Sequence, residues 1–128
     1  MNPFVFSTQS EVNLVGIHPD LVRVIRRALE LSPVDFGINE GLRTKDRQQQ
    51  LFKEGKSQTI NSRHLTGHAI DIIAYPTPRG SWDFWDYELI SVAFKQAGNE
   101  LDISIEWGGD WENYKDGAHF QLPWKEYL

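Results

Sequence analysis

Apolar positions first fall into a helical rhythm between Pro19 and Leu31, where Leu21, Val24, Ile25 and Ala28 recur on one face. Proline suits the first helical position and Ser32-Pro33 halts the run, so a helix is predicted over Pro19–Leu31 with His18 at its cap. Residues 34–38 then read as a short strand leading into the turn-like segment Glu40-Gly41-Leu42-Arg43-Thr44. Thr44 is placed to cap a second helix over residues 45–54, whose polar side chains form its wet face and which Gly55 closes. The polar residues 56–63 predict a surface loop. Ala69–Tyr75 has the β-branched content of a buried strand, with one carboxylate, Asp71, in its middle. Pro76, Pro78 and Gly80 force a loop, and a third helix is expected over residues 85–97, ending before Gly98. Residues 103–107 predict another strand, Gly108-Gly109 and Lys115-Asp116-Gly117 break the chain, and residues 119–122 make a last short strand. Helices segregated from a small antiparallel sheet define an α+β class.

A chain of 128 residues without repeats or a Pro/Gly/Ser-rich linker is expected to form one domain over residues 1–128, with no separate binding module. Five Trp and seven Phe supply bulky core material, so the core need not lean on disulfides, which the absence of cysteine rules out. The same absence removes thiolate ligands, so any bound metal must be held by imidazole, carboxylate, carbonyl or water. A formal net charge of -5 without any Lys/Arg run excludes a nucleic-acid partner and an anionic membrane surface. No stretch is apolar enough for membrane insertion, and the first ten residues lack the pattern of a signal peptide, so the chain is expected to be made and kept in the cytoplasm until something else releases it.

The chemistry concentrates in His64, Asp71, Asp116 and His119. Two His and one carboxylate form an accepted ligand set for a catalytic zinc, which leaves its fourth position to water. His64 and Asp71 are seven apart, so on one continuous strand they would face opposite ways. Gly67 between them permits a turn that lets them converge, with His64 on the entering loop and Asp71 in the strand. Asp116 and His119 meet the same obstacle, and the tight turn at Asp116-Gly117 removes it. Asp116, left out of the ligand set, is the candidate general base for the attacking water. Arg43, in the Glu40 to Thr44 turn, is the candidate cation near a developing oxyanion, and Ser62 a candidate hydrogen-bond partner for substrate. Taken singly, each of these residues is more often structural, and it is their combination that carries weight. His18 and His68 have no comparable spacing. The aromatic run Trp82, Phe84, Trp85 and Tyr87 reads as core and lid packing, and Trp107 and Trp111 either line a cleft or pack beneath it.

Ser62-Arg63-His64-Leu65-Thr66-Gly67-His68-Ala69-Ile70-Asp71 resembles the signature of the zinc D-Ala-D-Ala carboxypeptidase and dipeptidase superfamily. Glu106-Trp107-Gly108-Gly109-Asp110-Trp111, followed by Lys115-Asp116-Gly117-Ala118-His119-Phe120, is similar to the closing segment of its L-alanyl-D-glutamate endopeptidases, found among phage and prophage endolysins. That branch carries Asp three residues before its last His, where the dipeptidases carry Glu. The resemblance implies Zn2+ on His64, Asp71 and His119, Asp116 as base, Arg43 as the arginine of the Glu-Gly-Leu-Arg-Thr segment, and an α+β fold with helices flanking a small antiparallel sheet. It further implies a monomer that cuts the L-Ala–D-Glu bond of bacterial peptidoglycan, without a cell-wall-binding module. It would reach the periplasmic murein of a Gram-negative host after a holin-type opening of the membrane. Two other readings stay open: cleavage at D-Ala-D-Ala by the same metal site, and a zinc-stabilised module that binds without cutting. The retained Asp116 speaks against the second, since a purely structural site has no use for a spare carboxylate.

Overall fold

The computed structural model describes residues 2–57, 59 and 62–127. In chain order its elements are α1 (Thr8–Asn13), α2 (Pro19–Leu31), β1 (Asp35–Glu40), α3 (Lys45–Lys53), a 3-10 turn (Arg63–Thr66), β2 (Ala69–Tyr75), α4 (Phe84–Leu101), β3 (Glu106–Trp107), a second 3-10 turn (Gly108–Asp110) and β4 (His119–Gln121). The strands form one sheet in the order β1-β2-β4-β3, each neighbouring pair antiparallel. None of the helices among the described residues is long and apolar enough to cross a membrane.

Alternation along β2 decides which face of this sheet carries chemistry. Ile70, Ile72 and Ala74 are fully buried beneath the helices, whereas Asp71 and Ile73 point to the opposite, more open face. On the buried side α2 packs on α4 and α4 lies on the sheet, with the Phe94 ring 3.8 Å from that of Phe120 and 5.5 Å from that of Phe36. Each such fully buried side chain is worth about 1.5–3 kcal/mol relative to exposure, which makes the sheet a stiff floor for the residues on its other face. The outer edge of β1 is covered by α1: Ile38 N donates to Ser10 Oγ (3.0 Å) and Asn13 Nδ2 donates to Ile38 O (2.7 Å).

The helix over Pro19–Leu31 lies where its periodicity predicts, and His18 Nδ1 accepts from Asp20 N at its start. Thr44 caps α3 through Arg47 N, as predicted. Several boundaries differ. Helix α1 has no counterpart in the sequence reading, because six residues are too few to show a period; its stability comes from the Ser7 cap and its seat on β1. Strand β1 begins and ends later than residues 34–38. Helix α4 runs through Gly98 to Leu101, since that glycine serves packing rather than termination: a Cβ there would lie 2.6 Å from Ile103 O. Asp102 ends the helix instead, at φ 59°. Of residues 103–107, only Glu106 and Trp107 pair in the sheet.

The polar stretch 56–63 lies partly outside the described residues, and its last member is no surface residue. Arg63 is buried, donates to Leu122 O and holds its guanidinium 4.2 Å from the Trp124 ring centre, which ties the final segment to the sheet. The aromatic run also divides. Tyr87 is core, but Trp82 and Trp85 are about two-thirds exposed (64% and 63%), and Phe84 rests against Gly117 and Trp107.

Candidate metal centre

His64 enters the site from the 3-10 turn between α3 and β2. Ser62 Oγ accepts from His64 N (3.1 Å) at the start of that turn, and Gly67 ends it at φ 75°, a left-handed conformation that reverses the chain into β2. Any Cβ at Gly67 would stand 2.3 Å from Gly16 O, and His18 N donates to Gly67 O (2.8 Å) across the same contact. Gly67→Ala is therefore expected to cost about 2–3 kcal/mol of stability from strain and collision together. It should also weaken metal binding, because the turn aims His64; equal melting temperatures and equal metal affinity would contradict this account.

Inside the site His64 is almost wholly buried, and its Nδ1 lies 2.8 Å from Gly41 O. A carbonyl can only accept, so Nδ1 carries the proton and Nε2 presents a lone pair. Nε2 is buried and has no hydrogen-bond partner among the described residues, and it sits 3.3 Å from Asp71 Oδ2. A buried nitrogen lone pair left unsatisfied beside a carboxylate calls for a cation between them.

His119 arrives by sheet register. It stands directly opposite Asp71 on the β2–β4 pair, so both side chains project from the same open face, with His119 Nδ1 3.2 Å from Asp71 Oδ1. One donor atom from each of His64, Asp71 and His119 lies within 4.8 Å of the other two. This cluster is capable of coordinating a metal ion. Electrostatics agree with the geometry. Burial by itself would push the Asp71 carboxyl up, but its close contacts with the His119 and His64 imidazoles prevail and hold it far below the usual range. At His119 burial opposes protonation and Asp71 overcomes it, so proton affinity is raised. Positive charge is favoured at this spot even without a metal.

Asp116 follows a bend in which its own N donates to Gly108 O (3.0 Å) and its carbonyl accepts from His119 N (3.2 Å). The short link through Gly117 thus places its carboxyl near the cluster while leaving it outside the ligand set. Partial burial in the cleft, and then the Asp71 charge, push this carboxyl above its ordinary value. The cleft holds about 760 Å³ and is lined by all three cluster residues together with Asp116, Arg43 and Ser62.

Arg43 grips Glu40 through Nε (2.8 Å) and Nη2 (2.7 Å), donates to Gln48 Oε1 (2.6 Å), and comes within 3.6 Å of Asp71 Oδ2. Its guanidinium stands behind Asp71 rather than projecting freely into the cleft. Trp111 is a cleft wall, 5.2 Å from the His119 ring, while Trp107 packs beneath with its Nε1 donating to Gly117 O. His68 lies apart, 2.7 Å from Thr66 Oγ1 and beside His18 and Tyr127. The residues that sequence reasoning missed are Gln121 and Glu106. Gln121 Oε1 is 2.8 Å from His119 Nε2, and its amide nitrogen donates to Glu106 Oε2 (2.8 Å). The signal was present in part: Gln121 is two residues beyond His119 on one strand and so shares its face.

Comparisons with known proteins bear on the family and the fold. Residues 2–121 match the family model described as phage L-alanyl-D-glutamate peptidase. The L-alanyl-D-glutamate peptidase of Escherichia phage T5 is 41% identical, over 93% of this chain and 98% of that protein. The crystal structure of the L-Ala D-Glu endopeptidase ChiX of Serratia marcescens superposes with a TM-score of 0.91 at 49% identity, covering 98% of this chain and 95% of that one. The vancomycin-resistance D,D-dipeptidase VanXYg shares the fold at 17% identity, with a TM-score of 0.51 over 83% of this chain and 50% of its own. A family match over nearly the whole chain, and a close relative matched along almost its full length, have one reading: this chain belongs to the phage L-alanyl-D-glutamate peptidase family.

Proposed function

We propose that the chain is a zinc-dependent endopeptidase that hydrolyses the L-Ala–D-Glu bond of peptidoglycan stem peptides and serves as a phage or prophage endolysin. The observation that carries this reading is the His64, Asp71 and His119 cluster with the orphaned His64 Nε2, set in a cleft that also holds a free carboxyl at Asp116. Two imidazole nitrogens and one carboxylate oxygen, with no sulfur, suit zinc in a site that keeps a position open.

Zinc, when bound, supplies Lewis acidity and brings the pKa of a water to about 7. Asp116 is the group that accepts the proton of the attacking water and returns it to the departing amine of D-Glu. Its raised proton affinity suits both halves of that task, since a carboxyl that binds protons more readily is the better base and still releases the proton to an amine. Asp71 and His64 are held rigid by Arg43 and Gly41, so ligand positions do not have to be assembled when substrate arrives. Arg43 contributes positive charge from behind Asp71, and Ser62, on the cleft wall, contributes a polar contact to the stem peptide. In this reading the protein is made in the host cytoplasm, acts as a monomer, and meets periplasmic murein after a holin-type opening of the membrane.

Mass analysis of purified murein digested by the protein tests the bond assignment. New amino termini on D-Glu, without new reducing sugar ends, are expected. Free D-alanine or its dipeptide would move the cut to the stem terminus, and reducing ends would make the protein a glycosidase.

A further inference from the structure

We infer that Glu106 is a positioning residue for the metal centre, acting through Gln121 to choose which nitrogen of His119 faces the metal. The inference rests on the metal reading above and concerns residues that no ligand or base assignment uses.

Polarity is dictated from the far end of the chain of contacts. Glu106, as a carboxylate, offers only acceptors, so the Gln121 amide must turn its NH2 toward it, at 2.8 Å. Oε1 of Gln121 is then committed to the other side, where it meets His119 Nε2 at 2.8 Å. An amide oxygen only accepts, so the His119 proton is drawn to Nε2 and Nδ1 is left with a lone pair. Trp111 Nε1 donates to the second carboxylate oxygen of Glu106 (3.3 Å) and keeps it from turning away. Sheet register places the three residues together, since Glu106 pairs with Gln121 and Gln121 shares the open face with His119.

This selection is needed because a competing arrangement lies close by. His119 Nδ1 is 3.2 Å from Asp71 Oδ1, so without a partner at Nε2 the proton would settle on Nδ1 against that carboxylate and cover the lone pair the metal requires. His64 solves the same problem in the opposite sense, with Gly41 O drawing the proton to Nδ1 and freeing Nε2. The two imidazoles thus present different nitrogens, each chosen by what stands behind it. Partners of this kind behind metal-bound histidines are worth about 10–100-fold in metal affinity.

The test uses zinc-loaded protein and two readouts besides activity: the zinc dissociation constant from chelator competition, and the imidazole N–H proton of His119 at Nε2, seen in 15N-histidine NMR. Glu106→Leu frees the Gln121 amide to turn over; zinc affinity is expected to fall about 10–100-fold and the slowly exchanging N–H signal to disappear. The double variant Glu106→Gln with Gln121→Glu exchanges the two groups, so the new carboxylate accepts from His119 and the new amide donates to that carboxylate. It should recover both readouts to within a few-fold of wild type, which a merely structural role would not bring about. Glu106→Leu with unchanged affinity and an unchanged signal would overturn the proposal, as would a double variant no better than Glu106→Leu. Wild-type protein that binds no zinc would remove the metal reading itself, and this inference with it.

Discussion

Exhaustive chelation is expected to abolish murein hydrolysis and to lower the melting temperature, with both restored by added zinc. The reason lies in what the protein has buried. His64 is 2% exposed, its Nε2 has no hydrogen-bond partner among the described residues, and Asp71 carries a carboxylate close to it; a cation satisfies both. A ligand that binds only the folded state stabilises it by mass action, about 4 kcal/mol when present at a thousand times its dissociation constant. For a chain of this size that corresponds to on the order of 10–20 °C in melting temperature. Without metal, His119 takes up a second proton more readily because Asp71 stands beside it, which offsets some of the missing charge. Calorimetry and turbidity loss measured on the same chelated and reconstituted samples check the prediction. Full lysis by protein shown to be free of metal would end the proposed mechanism.

Asp116→Ala is expected to separate chemistry from assembly. Asp116 donates nothing to the cluster and its side chain repels Asp71, so its removal should leave zinc stoichiometry intact and stability within roughly 0.5 kcal/mol of wild type. Turnover should fall about 10²–10⁴-fold, the usual worth of a positioned proton-transfer group. Asp116→Asn should lose activity similarly, since it keeps the shape but not the basicity. The pH dependence follows from the raised proton affinity. The base works only when ionised, so kcat/KM should decline with falling pH as Asp116 takes up a proton, a step that burial in the cleft favours, and this acid limb should vanish in the variant's residual activity. A variant that lyses murein at the wild-type rate would release Asp116 from its role.

These two experiments bear on residues that were visible at very different depths. His64 and Asp71 were legible because Gly67 stands between them, and a glycine four residues before a carboxylate in the middle of an apolar strand leaves few geometries other than a reversal. The structure shows that reversal at φ 75°, against the Gly16 carbonyl. His119 was legible by residue type and spacing from Asp116. Its partnership with Asp71 was not, because 48 residues separate the two and strand register is a tertiary property. Arg43 stood out in the sequence, but its commitment to Glu40 and Gln48 follows from the fold of the turn around it.

Local pattern by itself determined the helix at Pro19–Leu31, the buried strand at Ala69–Tyr75 and the α+β class, and it singled out His64, Asp71 and His119 as candidate ligands, because periodicity, caps and turn glycines act over a few neighbours. Tertiary structure alone decided the order β1-β2-β4-β3, the seating of α1 on the edge of β1, and the continuation of α4 through Gly98. It also decided that Glu106 and Gln121 stand behind His119. All of these depend on which distant backbone lies alongside, and a one-residue slip of β4 would turn His119 into the core and Phe120 into the cleft.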